Sequence, residues 1–585
     1  MQSFDELVKE GLARLCEGDC AAGIACLEQA VERQPDATAG WGCLASALMT
    51  AGRHEEALRA LERMLALEPD RLDARWRVAD RLVRLGRLEE AEAQYRAVLA
   101  RDGACHEARY GLRYIEYLKR RPAEGAAASN GPPEATGSGQ AGRDRKIENE
   151  RRALAHFERG DTRLSSRPTH VQVEMTDRCN AQCVMCVRAD HPLVARDLAP
   201  EALGRIEAEI LPLARRVNVA GFGEAVMARQ FDAFSATVVR HGARLHLTTN
   251  GTALSIARLE RLARGCTHLV VSVDGATAGM FEAVRRGLRF ERVLDTLRLY
   301  KKLRDLYPEG RSELWINFVA MRRNIEELPA VVDLAADLDA QMVVVIDMDA
   351  RLLSAEMQAE HPSRHPELAN RLFDEAAERA RRRGIRLQLP PKYLVPEDPP
   401  SQGPPSHDGG YESGPPSHDG GYESGPPSHD GGYESGPPSH DGGYKARAVG
   451  RRGRWLPERG RFPRRCSEPW ITTYVACDGR VQPCCAHQQL NGDLHRLGFE
   501  AIWNGRRYRW LRRRIRTFLP PLECRSCVAF WGINAGNPSV VQAREGVLVN
   551  LLYAAEIRAR QAARKARALL NRARSAARAK LGRPR

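Results

Sequence analysis

Cys179-Asn-Ala-Gln-Cys183-Val-Met-Cys186 places three thiols within eight residues, directly after the extended run His170-Val-Gln-Val-Glu-Met175. Three thiolates hold three irons of a [4Fe–4S] cluster and leave the fourth open to an outside ligand, an arrangement for chemistry rather than storage. The same spacing also fits one face of a helix, with the cysteines packed as small core residues. Against that, Thr176-Asp177-Arg178 and Asn180 are turn formers following a strand pattern, which predicts a loop. Zinc would need a fourth ligand, and none stands at a usual spacing nearby.

Outward from this stretch, six apolar, β-branched runs alternate with helical patterns, at about 170–175, 216–220, 244–249, 268–273, 314–319 and 342–347. That alternation predicts a parallel α/β sheet, and six units predict a partial (βα)6 barrel open on one side. Ligands gather at the C-terminal ends of such strands. Each remaining motif falls there. Gly221-Phe-Gly223-Glu224-Ala225 follows the second run, where two glycines let the backbone approach a ligand and a carboxylate can accept from an ammonium. Thr248-Thr249-Asn250-Gly251 ends the third run as a turn with a left-handed residue. Ser272 and Asp274 share one strand face at the end of the fourth, where hydroxyl and carboxylate could meet a ribose, and Arg285-Arg286-Gly287 follows. Taken alone, these are equally a capping turn and a solvated arginine pair.

Cys-x3-Cys-x2-Cys on the loop after a first barrel strand resembles the signature of the radical S-adenosylmethionine (SAM) enzymes. The resemblance implies a [4Fe–4S] cluster held by Cys179, Cys183 and Cys186, with SAM chelating the open iron. Reductive cleavage of SAM would then give a 5′-deoxyadenosyl radical that takes hydrogen from a substrate. It also implies SAM contacts from Gly221, Gly223, Glu224, Ser272, Asp274 and Arg285, and more weakly a pocket lined by Asn317, Phe318 and Asn324. Met185, Phe222 and Ala225 depart from the usual family pattern.

The first 120 residues repeat at a period of 34, with Gly18, Gly52 and Gly86 in step, Gly103 after Pro35 and Pro69, and Ala57 matched by Ala91. This resembles tetratricopeptide (TPR) repeats: an α-solenoid of three hairpins and a capping helix at about 106–119. Cys16, Cys20, Cys26, Cys43 and Cys105 are expected to pack there as small apolar residues. Residues 121–145 are rich in Pro, Gly, Ala and Ser and read as a flexible linker, so that the array is tethered rather than docked to a barrel spanning 146–390. A truncated chain beginning near residue 146 is therefore expected to keep SAM cleavage. Residues 391–460 carry an 11-residue repeat from Gly403, Gly-Pro-Pro-Ser-His-Asp-Gly-Gly-Tyr-Glu-Ser, with few core formers.

Residues 461–535 read as a small cysteine-rich β-hairpin/α module. Ile471–Cys477 and Arg480–Cys485 flank Asp478-Gly479 as a hairpin. Cys466, Cys484, Cys524 and Cys527 stand in two pairs that suit either a structural zinc or a second cluster. With Ile502-Trp503-Asn504 between, the module resembles the SPASM auxiliary-cluster domain in a short form. That resemblance implies one auxiliary [4Fe–4S] cluster on those four cysteines, with Cys477 or Cys485 as substitutes.

The formal net charge of +15 is local: residues 555–585 hold eleven Lys and Arg against Glu556. That leaves the rest nearly balanced, so 536–585 reads as a basic helical tail, with contact to nucleic acid or an acidic membrane only weakly indicated. No apolar stretch spans a bilayer, no signal pattern opens the chain, and fifteen cysteines without export indicate reduced thiols in the cytoplasm. The expectation is a multidomain radical SAM oxidoreductase or maturase needing an external electron donor, with a peptide or protein substrate bound by the TPR array. A small-molecule alcohol or sugar dehydrogenase is the nearest alternative. A non-catalytic TPR scaffold with a zinc-binding C-terminal module is the alternative of another class.

Overall fold

The computed structural model describes residues 2–17, 19–120, 139–189, 195–265, 267–348, 354–393, 395, 466–484, 491–517, 521 and 524. The six runs become six strands: β1 (His170–Val173), β2 (Arg216–Val219), β3 (Arg244–Thr249), β4 (Thr267–Ser272), β5 (Glu313–Ala320) and β6 (Met342–Asp347). They pair in parallel in chain order. A short β7 (Arg386–Gln388) adds to β6 in parallel. Alternate residues such as Val171, Val173, Val217, Val219, Leu245 and Leu247 are buried against the covering helices, and the opposite positions form the inner face.

The hairpin joins this sheet. β8 (Thr472–Val475) lies parallel to β1, β9 (Arg480–Gln482) is antiparallel to β8, and β10 (Gly492–Asp493) closes the edge. The ten-strand order is β10-β9-β8-β1-β2-β3-β4-β5-β6-β7, and among the described residues no pairing joins the two edges. The module read from sequence as separate is thus continuous with the barrel sheet. Gly479 makes the hairpin turn at φ +78°, a conformation that favours glycine. Arg512, fully buried, ties the module to the chain before β1, donating to the carbonyls of Thr162, Pro469 and Trp503 at 2.8–3.0 Å.

The 34-residue period builds α1 (Phe4–Glu17) with α2 (Cys20–Arg33), α3 (Thr38–Thr50) with α4 (His54–Leu67), and α5 (Leu72–Arg84) with α6 (Leu88–Arg101). The capping helix is α7 (His106–Arg120). Ala57 and Ala91 are fully buried where hairpins touch, as close-packed positions require. Of the cysteines expected to pack here, Cys43 and Cys105 are half-buried against the apolar core, Cys20 and Cys26 are half-buried, and Cys16 is exposed.

The array is docked, which corrects the tethered reading. α5 and α7 pack on the helix Phe290–Leu306 that precedes β5. At the centre, Lys302 pairs with Asp80, both 1% exposed, and the Tyr95 hydroxyl donates to the same carboxylate. The Lys302 ammonium also lies 4.8 Å from the ring centroids of Trp76 and Tyr95. Around it, Arg113 pairs with Asp295 at 2.6 Å, Lys301 with Glu107 at 2.8 Å, and the hydroxyls of Tyr114 and Tyr307 meet at 2.6 Å. The stretch read as linker also ends early, because α8 (Gln140–Arg159) begins within it. Its Lys146 donates to the Ala214 carbonyl at 2.6 Å. Residues 121–138, the 11-residue repeats and the basic tail lie outside the described residues.

Removing Asp80 leaves the Lys302 ammonium buried and unpaired. Asp80→Ala is expected to cost about 3–5 kcal/mol of stability, and Asp80→Leu with Lys302→Met to restore most of it. Calorimetry decides this; a negligible loss for Asp80→Ala would mean the contact opens in solution. A truncated chain starting at residue 139 should also melt lower, because it uncovers the face of Phe290–Leu306 that α5 and α7 bury. Nearby, burial pushes the Asp305 carboxyl from 3.8 up to about 6. The folded chain then holds this proton more tightly than the unfolded chain, so Asp305 contributes stability at low pH that is lost as pH rises from about 4 through 6. Asp305→Asn should flatten the melting profile across that window.

Candidate functional site

The cysteine stretch does form a loop beyond the C-terminal end of β1. Cys179, Cys183 and Cys186 are all half-buried, and the Cys186 amide donates to the Cys183 carbonyl at 3.1 Å. The three thiols lie near enough that charge on Cys179 or Cys186 raises the pKa of Cys183. Burial is the larger cause and pushes the Cys183 thiol up to about 11, opposed by the Arg285 guanidinium. Arg285 stands with its Nη1 3.8 Å from Cys183 Sγ. Gln182–Cys183 pairs antiparallel with Arg285–Arg286, which fixes that approach through the backbone.

Arg285 is held in turn by Asp274, whose Oδ2 lies 2.7 Å from the Arg285 Nε. Asp274 is 0% exposed, and its other oxygen accepts from the Val319 amide at 2.7 Å. This corrects the sequence reading: the carboxylate is fully buried and faces Arg285 and the sheet rather than an open ribose site, with Oδ2 in ion-pair contact but outside hydrogen-bond geometry. Asn324, also fully buried, donates to the carbonyls of Asp274 and Val319, so its amide supports the strand end. Phe318 is buried on the helix-facing side. Ser272 is 8% exposed and registers with Asn317.

Glu224 is 3% exposed, with its oxygens accepting from the Thr249 hydroxyl at 2.6 Å and the Asn250 amide at 2.7 Å. Burial raises its pKa, and these donors oppose the rise. It therefore braces the loop after β3 rather than standing open to an ammonium. Asn250 passes the brace on, donating to Asn180 Oδ1 in the cysteine loop at 2.8 Å. Gly251, at φ +79°, is the left-handed residue expected there.

Sequence reasoning missed Glu174, the residue that organises this edge. It is 4% exposed; one oxygen accepts from the Phe222 amide at 2.8 Å, the other from the Cys477 amide at 3.2 Å. It thereby joins β1, the Gly221–Gly223 turn and the C-terminal hairpin. The turn needs its glycines: a Cβ on Gly221 would lie 2.4 Å from Glu174 Cγ, and one on Gly223 2.1 Å from the Thr176 carbonyl oxygen. A carboxylate ending a strand pattern was the only signal available.

Of the C-terminal cysteines, Cys466 and Cys484 are half-buried and Cys524 is buried; Cys466 and Cys524 contact the same apolar core. Cys477 is set apart, its thiol pushed up by burial and by the carboxylates of Glu174 and Asp177. Cys485 and Cys527 lie outside the described residues. Among the described residues no three Cys, His, Asp or Glu side chains close on one point as a single-ion site would.

Residues 173–335 match the radical SAM superfamily, and 466–528 match an iron–sulfur cluster-binding domain. Residues 8–71 and 48–113 match tetratricopeptide repeats. The chain carries a radical SAM domain. That domain brings a [4Fe–4S] cluster with SAM, and the C-terminal domain brings auxiliary iron–sulfur chemistry. Among curated relatives, GTP 3′,8-cyclase of Marinobacter nauticus is 28% identical over 196 residues, 32% of this chain and 57% of its own length. PqqA peptide cyclase of Bradyrhizobium diazoefficiens is 26% identical over 248 residues, 39% of this chain and 59% of its own. The chain thus spans under two thirds of the length of these relatives. In solved structures, Streptococcus suis SuiB bound to its precursor peptide SuiA matches with TM-score 0.43 and 13% identity, covering 66% of this chain and 74% of that one.

The residues of this domain fit the implied group: three thiols share one loop, a guanidinium offsets thiolate charge, and two glycines let the neighbouring turn pack directly on Glu174 and the start of the cysteine loop. Gly223→Ala is expected to push the turn off the cysteine loop and weaken SAM binding at least about tenfold, or ~1.4 kcal/mol, at unchanged iron content. Equilibrium dialysis beside an iron count measures both. Unchanged affinity would show that the turn does not face SAM.

Proposed function

We propose that the chain is a cytoplasmic radical SAM enzyme that modifies a peptide or protein substrate. In this reading Cys179, Cys183 and Cys186 ligate the catalytic [4Fe–4S] cluster. Cys466, Cys484, Cys524 and Cys527 ligate one auxiliary [4Fe–4S] cluster. The observation that carries it is the three-thiol loop beyond β1 with Arg285 3.8 Å from Cys183. Bound there, the cluster and SAM supply one-electron cleavage of SAM and a carbon radical that takes hydrogen from a substrate.

The chain's own residues hold that loop in place. Arg285 supplies positive charge beside the thiolates and is oriented by buried Asp274. Glu174 and Glu224 fix the turns after β2 and β3 through backbone amides. Gly221 and Gly223 leave their backbone open to SAM, with Ser272 at the neighbouring strand end. Electrons come from an external donor, and a compartment of reduced thiols suits such cysteines. Among the described residues no helix is long and apolar enough to cross a membrane.

Two features support a peptide substrate over a small alcohol or sugar. The chain carries a repeat array of the kind that binds extended chains, and one relative is named for cyclising a peptide. Anaerobically reconstituted protein should convert SAM to 5′-deoxyadenosine when reduced. Cys179→Ala, Cys183→Ala and Cys186→Ala together should abolish that product while about four irons per chain remain on the C-terminal cysteines. Residual cleavage by the triple variant would overturn the ligand assignment; stoichiometric zinc in place of that iron would make the C-terminal site structural.

A further inference from the structure

The docked array leaves a groove. One cavity of about 460 Å³ lies on the repeats between Leu12, Cys43, Met64 and Arg77. A second, of about 370 Å³, lies where the repeats meet the barrel, between Trp76, Arg77, Tyr307 and Arg311. Both are lined by Ser46, Thr50 and Arg77, so they form one continuous groove. Leu12 is 43% exposed, which gives the repeat end an apolar wall. The barrel end is cationic. Arg77 stands over Trp76 at 5.3 Å, and among the described residues neither Arg77 nor Arg311 forms an ion pair. Among the carboxylates nearby, Asp80 pairs with Lys302 and Asp73 with Arg71 at 2.9 Å. Asp305 also lines the barrel end, where the guanidiniums of Arg77, Arg81, Arg304 and Arg311 outnumber the acids.

The barrel end of the groove lies at the wrong edge of the sheet for direct reaction. Asp305, Tyr307, Pro308, Arg311 and Ser312 line it, and these residues lead from the helix Phe290–Leu306 into the first residue of β5. In a parallel sheet that is the N-terminal edge, opposite the cysteine loop. The eight residues of β5 separate the two edges by about 26 Å.

We propose that this groove binds an acidic, leucine-bearing segment of the substrate peptide, distinct from the residue that reacts. The proposal rests on the peptide reading above. An extended chain covers at most about 3.3–3.6 Å per residue, so some eight or more residues must separate the bound segment from the reacting one. Nucleic acid fits less well, because the groove offers two unpaired guanidiniums beside apolar walls rather than a basic track.

The probe is a fluorescein-labelled 15-residue peptide of alternating Glu and Leu, titrated into the full-length holoenzyme. Expected outcomes are saturable binding, at least tenfold weakened in Arg77→Glu/Arg311→Glu, and no binding of the Lys/Leu counterpart. Both positions are at least partly exposed, and an unchanged melting temperature confirms folding. The same peptide is then extended by Gly/Ser spacers of 2 or 12 residues ending in benzophenone. Only the longer one should cross-link to the loops holding Cys179–Cys186 and Phe222. Equal binding by the double variant, displacement by single-stranded DNA with no peptide binding, or cross-linking to those loops by the 2-residue spacer would each overturn the proposal. SAM cleavage without substrate is assayed on the same samples: if it persists while peptide binding fails, the groove assignment falls and the radical SAM reading stands.

Discussion

The pairing of Thr472–Val475 with His170–Val173 is the contact on which the edge carrying the cysteine loop depends. β1 has four residues and must present the cysteine loop from a fixed position. β2 holds it on one side only. With β8 on the other, the Glu174 amide donates to the Val475 carbonyl at 2.9 Å, and the Glu174 carboxylate is brought to the Cys477 amide. The same carboxylate takes the Phe222 amide, so the C-terminal hairpin and the Gly221–Gly223 turn are set by one side chain. A carboxylate so buried tolerates little displacement, because each lost amide leaves a charge desolvated without compensation. The C-terminal hairpin is therefore part of the scaffold around the cysteine loop.

The sheet was legible because its strands are short β-branched runs with nothing else to be. A parallel sheet covered on its outer face needs continuous apolar positions there, and those positions stand out in the sequence. The repeats were legible through a period that few other folds produce. What was hidden was the docking of one onto the other. Lys302 and Asp80 sit on amphipathic helices more than two hundred residues apart, where a charge ordinarily marks a solvated face. Local pattern gives no warning that two such faces meet. The Pro/Gly/Ala composition between them says nothing about whether the flanking elements are held together.

At the site, spacing alone located the three cysteines and the glycine turn. It failed for the carboxylates. Asp274 and Glu224 invite reading as ligand contacts because acids at strand ends often are. Here each accepts backbone amides and a side-chain partner, and the first orients Arg285 beside Cys183. Whether a carboxylate faces a ligand or the protein depends on which amides the neighbouring strand leaves unpaired, and that is decided by register rather than by sequence order. Glu174 shows the converse: an unremarked residue in an apolar run becomes the junction of three elements because a strand from some three hundred residues away arrives beside it.

That long separation also bears on how the protein is made. Until the ribosome passes Val475, one edge of β1 has no partner, and the cysteine loop is attached to an open strand. At 5–20 residues per second the interval lasts about 15–60 s. Open edges recruit other strands, so the nascent chain spends that time exposed to misassembly at the point its chemistry needs most. It is also the period in which the three thiols are least enclosed by protein. Synthesis order thus favours a late-closing site, sealed by a hairpin translated long after the loop it braces.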